Sequence, residues 1–257
     1  MVTALGQRII FSFSHVWGVL SLLAFALWAA VTPPIRVRET VQQLSFVIWG
    51  SAPVVLLSVS FAAAVTIMEA SFHMKIVVQN DSLVPGFAAL LILRELGVVV
   101  TALLVTSRVG AGYAAEVASM QVTEQIDALK MLGIHPVRYL LVPRLYASIL
   151  GVMVLTVLAN MVCIYVAMLV SQWSLGYSSG SFLMAMRAFV TFQDLVFSVI
   201  KAGFFGAVIP LFSLYFGLRC QAGAEGVGVA TTNSVVATSV TIIMMDFVLS
   251  YIFSYFY

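Results

Sequence analysis

The chain has 257 residues, of which 62% are hydrophobic and 9% charged, with a formal net charge of +2. Its 12 Lys/Arg and 10 Asp/Glu are about a third of the charge carried by a soluble domain of this length, where roughly 25% of residues are charged. Too few charges remain to cover a water-facing surface, which excludes soluble globular, disordered, collagen-like and nucleic-acid-binding classes and leaves an α-helical membrane protein.

The first apolar segment, 9–31, follows Arg8 and stops at Pro33 and Pro34. It has no small-residue cleavage site, so it is expected to stay on the protein. Arg8, Ser12 and His15 fall on one helical stripe against Ile9, Phe13, Val16 and Leu20, the pattern of a helix lying at the membrane interface. Five further apolar segments follow at 45–70, 86–107, 143–170, 193–218 and 233–256. Each reaches the roughly 20 residues a helix needs to cross about 30 Å of hydrocarbon, and none alternates as a barrel strand would.

Arg108, Lys130, Arg138 and Arg144 share one loop, which the positive-inside rule places in the cytoplasm. Counting outward from there, 32–44 (Arg36, Arg38) and 219–232 (Arg219) are internal, while 71–85 (Lys75) and 171–192 (Arg187) are external. An interfacial helix plus five spans fits this count better than six spans. The expected organisation is one membrane domain over 1–257, with 1–44 as interfacial helix and connection and 45–257 as the five-span core. The terminal Tyr251, Phe253, Tyr255, Phe256 and Tyr257 are expected to form an outer aromatic belt.

Within the spans lie Arg94, Glu95, Lys201 and Asp246. At about 1.5 Å per residue, Arg94, Glu95 and Lys201 sit roughly 12–13 Å below the outer face, and Asp246 about 10 Å below it. Two cations and two carboxylates therefore share one layer. A charge at helix centre costs about 2.5–3.5 kcal/mol, so each needs a partner or a wet cavity. Two readings stay open: a structural ion network, or a polar belt lining a cavity for an amphipathic substrate. Asp194, at a helix start, is expected to cap it.

Small residues at Ser107, Ala111 and Ala115 allow close helix contact. A short polar helix follows over 123–132. Thr123 is its expected cap, Glu124 and Asp127 suit its first turn, Lys130 its last, and Gly133 and Pro136 stop it. Ile126, Leu129 and Leu132 form its apolar stripe, which could lie on the chain's own membrane domain or dock a cytoplasmic partner. The loop GAEGVG at 223–228 lacks the Lys-Ser/Thr of a phosphate-binding loop. Thr231, Thr232 or Asn233 is expected to cap the last span. Cys163 and Cys220 have no metal or redox spacing, and His15, His73 and His135 are scattered. No catalytic or metal-binding motif results, so the chain is not expected to be an enzyme.

LRELG (93–97), AAEVASM (114–120), VTEQIDALKMLGIHPVRYLLVPR (122–144) and GAEGVGVATT (223–232) resemble the MlaE/YrbE-type permeases of MCE-associated ABC transporters, from about residue 45 onward. The resemblance implies a homodimeric permease of the bacterial inner membrane, moving phospholipid between that membrane and the periplasm or outer membrane. It implies a cytoplasmic ABC ATPase holding ATP and magnesium, a periplasmic MCE-domain protein and a small cytoplasmic accessory subunit, with no cofactor on this chain. It makes the short helix, with Glu124, Gln125, Ile126, Asp127, Leu129, Lys130 and Leu132, the ATPase-coupling helix. It places Arg94, Glu95, Lys201 and Asp246 near the lipid cavity. Val98 departs from the usual Pro after ELG; Ser107, Val117 and Ala118 replace the usual Gly, Leu and Gly, and Met68-Glu69 stands for Leu-Gln. A non-transporting envelope scaffold is the alternative.

Overall fold

In hydrocarbon every backbone N–H and C=O must be bonded within the chain, which leaves helices as the local solution for long apolar segments. The computed structural model describes residues 36–77, 83–221 and 223–256; the expected interfacial helix at 9–31 lies outside them. In chain order the elements are α1 (Val37–Val77), α2 (Val84–Leu91), a π-helical turn (Ile92–Leu96), α3 (Gly97–Val105), a second π turn (Thr106–Gly110) and α4 (Ala111–Val122). Then come α5 (Gln125–Met131), α6 (Pro136–Leu175), α7 (Ser179–Phe189), α8 (Phe192–Leu218) and α9 (Ala224–Phe253). Among the described residues, five helices are long and apolar enough to cross a membrane: Val37–Met74, Val84–Val122, Pro136–Leu175, Phe192–Leu218 and Ala224–Phe253. The protein is an all-α membrane protein.

Four of the five spans run beyond their apolar segments, because the helix continues into the flanking residues, while Phe192–Leu218 matches its segment to within one residue. Thus α9 begins at Ala224, directly after Gly223 at φ +103°. Thr231, Thr232 and Asn233 therefore do not cap the last span: they lie inside it, and the two threonine hydroxyls bond back to Val227 and Gly228 carbonyls. Pro136 opens α6 rather than merely ending the preceding helix, since a helix's first position needs no N–H. The connection 171–192, expected to be external, carries a helix the apolar pattern did not reveal, α7, capped by Ser178 through the Ser181 N–H.

The chain divides into two compact units, and every long helix contributes to both. In the unit built from 36–44, 106–148 and 207–240, the buried row of α4 begins at Gly110 and continues through Ala114 and Ala118. Ser213 of α8 donates to the Gly110 carbonyl at 2.9 Å, and a side chain at Gly217 would collide with Val117 at 2.8 Å. The expected contact row Ser107, Ala111 and Ala115 is displaced one helical strip away: Ser107 is exposed and the other two are half-buried. Composition identified close packing there but not its azimuth.

In the unit built from 45–77, 83–105, 149–206 and 241–256, α1 buries Val47, Ser51, Val55, Val59, Ala63, Ile67 and Ser71, a strict four-residue ridge. Its opposite face exposes Trp49, Leu57, Phe61 and Val65. On α7, Phe182 is buried, and Ala185 and Phe189 lie so close to Gly86 that no Cβ fits there.

Candidate functional site

Lys201 of α8 is the hub of the intramembrane polar layer. Its Nζ donates to the Arg94 carbonyl at 3.0 Å, Glu95 Oε1 at 3.1 Å and Ser250 Oγ at 2.8 Å. Asp246 Oδ1 lies 2.8 Å away, a charge contact off the hydrogen-bond direction. An ammonium has three donors, so all three are used within the chain. The Lys201 side chain is 4% exposed, whereas those of Arg94 and Glu95 are 36% and 45% exposed.

Arg94 does not join the Lys201 hub through its side chain. Its Nε donates to Asp194 Oδ1 at 2.6 Å, while the second Asp194 oxygen accepts the Thr191 N–H at 2.8 Å and hydroxyl at 2.9 Å. Asp194 thus performs the expected capping, as the third-residue half of a capping box. Fully buried, it also holds Arg94, a partnership absent from the sequence reading.

Adjacent residues 94 and 95 reach different partners because they lie in the π turn Ile92–Leu96, closed by the Gly97 N–H to the Ile92 carbonyl. Such wide turns recur at functional sites. Val98, where the resemblance has Pro, is buried near the start of α3. Ser250 was also missed. Its position four residues after Asp246 puts both on one face of α9, and that spacing was the available signal. Phe253 stacks on Phe197 at 4.2 Å between centroids, so it faces the cluster and leaves the expected belt, of which Tyr251 and Tyr255 are exposed. Between the rings and the charges is a cavity of about 70 Å³, below the roughly 300–1,000 Å³ of small-molecule sites.

Gly97 borders this site. A Cβ there would run into the Asn160 side chain, whose Nδ2 donates to Ser198 Oγ at 2.9 Å. Gly97→Ala is expected to destabilise the protein by about 1–3 kcal/mol through overpacking, read as thermal melting in detergent. Asn160→Ala in the same chain should recover part of the loss; a native-like melt for Gly97→Ala alone would show that Asn160 swings clear.

The short helix α5 differs from expectation at both ends. Thr123 does not cap it: its hydroxyl bonds back to Ser119. Glu124 occupies the N-cap position in the left-handed region at φ 59°, without a side-chain cap bond. Gly133, at φ 72°, ends the helix in a Schellman arrangement, with Gly133 N–H to Lys130 and Ile134 N–H to Leu129. Asp127 and Lys130 pair at 2.7 Å, and Gln125 is exposed. The apolar stripe is split. Ile126 is buried and Leu129 half-buried, but Leu132 is 74% exposed, and beside it Met131 is 91% exposed.

Among the described residues no group of three His, Cys, Asp or Glu side chains could hold a metal ion. Five apolar spans, four of them linked by ion pairs, define a polytopic α-helical membrane protein. The family described as Permease MlaE matches residues 40–252. A probable ABC transporter permease protein of Rickettsia felis is 33% identical over 98% of this chain and 97% of its own length. The intermembrane phospholipid transport system permease protein MlaE of Haemophilus influenzae is 32% identical over 97% and 95%. Protein TRIGALACTOSYLDIACYLGLYCEROL 1, chloroplastic, of Arabidopsis thaliana is 36% identical over 84% of this chain and 61% of its own. The chain belongs to the MlaE permease family.

Proposed function

We propose that this chain is the permease subunit of an ABC transporter that moves phospholipid between the bacterial inner membrane and the periplasm or outer membrane. The observation that carries this reading is the nearly end-to-end match to the Haemophilus phospholipid transport permease. A separate ATPase, holding ATP and magnesium, docks on α5. The exposed apolar pair Met131 and Leu132 beside exposed charges supports this, since a helix serving only its own chain would turn those residues inward. An MCE-domain protein on the periplasmic side and a small cytoplasmic accessory subunit complete the assembly.

The permease works as a homodimer. In α9 only 17% of the central apolar stretch is buried, against 56% in α8. Thr232 and Asn233 are exposed on it, and the space beside Gly228 is open. An amide and a small-residue face in a membrane helix suit a second copy of that helix. The lipid cavity then forms between protomers, with Arg94 and Glu95 offering its polar contacts.

The test is purification with the neighbouring subunits, identification of bound lipid by mass spectrometry, and transfer of labelled phospholipid between vesicles. Bound phospholipid and ATP-dependent transfer are expected. Intact assembly without transfer would favour the scaffold reading, which draws its own support from Lys201 having every donor satisfied within the chain.

A further inference from the structure

The loop that carries α5 hangs between α4 and α6, and one buried guanidinium ties those two legs together. Arg144 of α6 is 4% exposed, and its Nη2 lies 2.9 Å from Glu116 Oε1 on α4. Its Cζ sits 5.3 Å from the centre of the Tyr113 ring, three residues before Glu116 and so on the same face of α4. At about 1.5 Å per residue, Glu116 is roughly 9 Å from the end of α4 and Arg144 about 12 Å into α6. The clamp therefore grips both legs at comparable distances from α5.

A guanidinium has five donors. Among the described residues the buried Nε and Nη1 have no acceptor. Buried donors without acceptors are unfavourable, so this arrangement is biased towards any shift of α4 against α6 that bonds them. Glu116 is half exposed and free to follow such a shift.

We propose that Arg144, Glu116 and Tyr113 form a positioning clamp that transmits movement of α5 into the membrane helices. This rests on the reading that α5 seats in an ATPase. The clamp contacts neither that partner nor the lipid; it sets how the two legs move together. Breaking it should separate ATP hydrolysis from lipid movement without releasing the ATPase.

The experiment uses the assembled transporter in vesicles, comparing native chain, Glu116→Gln and Glu116→Asp. Co-purified ATPase, ATP turnover, labelled phospholipid moved per ATP, and thermal melting are measured together. For Glu116→Gln, native amounts of ATPase and a native-like melt are expected, with lipid moved per ATP lower by about fivefold or more, the lower range of allosteric coupling. Glu116→Asp, which keeps the charge, should recover most of that ratio. Native lipid per ATP in Glu116→Gln would overturn the proposal. Loss of the ATPase from that variant would overturn it too, since the pair would then serve docking itself. If the native chain retained no ATPase, the docking reading would fall and the clamp with it, an outcome visible in the native sample alone.

Discussion

Replacing Lys201 by methionine is expected to cost about 3–5 kcal/mol of stability, the usual penalty for removing one partner of a buried ion pair. The reason is local. Glu95 and Asp246 both approach this one ammonium, and Ser250 and the Arg94 carbonyl accept from it as well. Without it, two carboxylates face each other within the spans, while Arg94 remains engaged with Asp194. Detergent-solubilised Lys201→Met should melt well below the native protein. Adding Glu95→Gln and Asp246→Asn should restore most of the loss, because neutral groups need no counter-charge. A native-like melt for Lys201→Met alone would refute the hub. The triple variant also separates the two functional readings: transport lost with assembly intact points to a polar belt that handles substrate, and transport retained points to a structural network.

Placing aspartate at both Met131 and Leu132 is expected to weaken ATPase binding by about 2 kcal/mol or more, roughly 30-fold, if these side chains are interface anchors. Both are exposed, so the stability of the chain itself should change by less than about 0.5 kcal/mol. Titration of purified ATPase against the reconstituted permease reads the affinity, and thermal melting reads the stability. Unchanged affinity would move the docking surface away from the end of α5. Ile126, buried on the opposite side, should behave in the reverse sense, since its loss loosens the seat of the helix.

The contrast between Ile126 and Leu132 shows where reading from sequence stops. They are six residues apart and were placed on one stripe, yet one is buried and the other largely exposed. At about 100° per residue, positions six apart lie about 120° from one another around a helix and need not share burial. Spacing alone likewise left the azimuth of the small-residue contact undetermined: Ser107, Ala111 and Ala115 have the same four-residue step as Gly110, Ala114 and Ala118, and packing against α8 selects the second row. Arg94 and Glu95 show the limit of spacing too: rise per residue put them level with Lys201, but in the π turn Ile92–Leu96 one meets Asp194 and the other Lys201.

Sequence alone was enough for the class of protein, the five spans among the described residues and the family. Each depends on quantities that add along the chain: apolar length, charge count and residue motifs. Tertiary structure decided which charge meets which, that Ser250 and Asp194 belong to the network, and that Arg144 clamps the legs of α5. Those outcomes depend on the rotation of each helix about its own axis. That rotation is set by packing against neighbours distant in sequence, as Gly97 against Asn160 and Gly217 against Val117 illustrate.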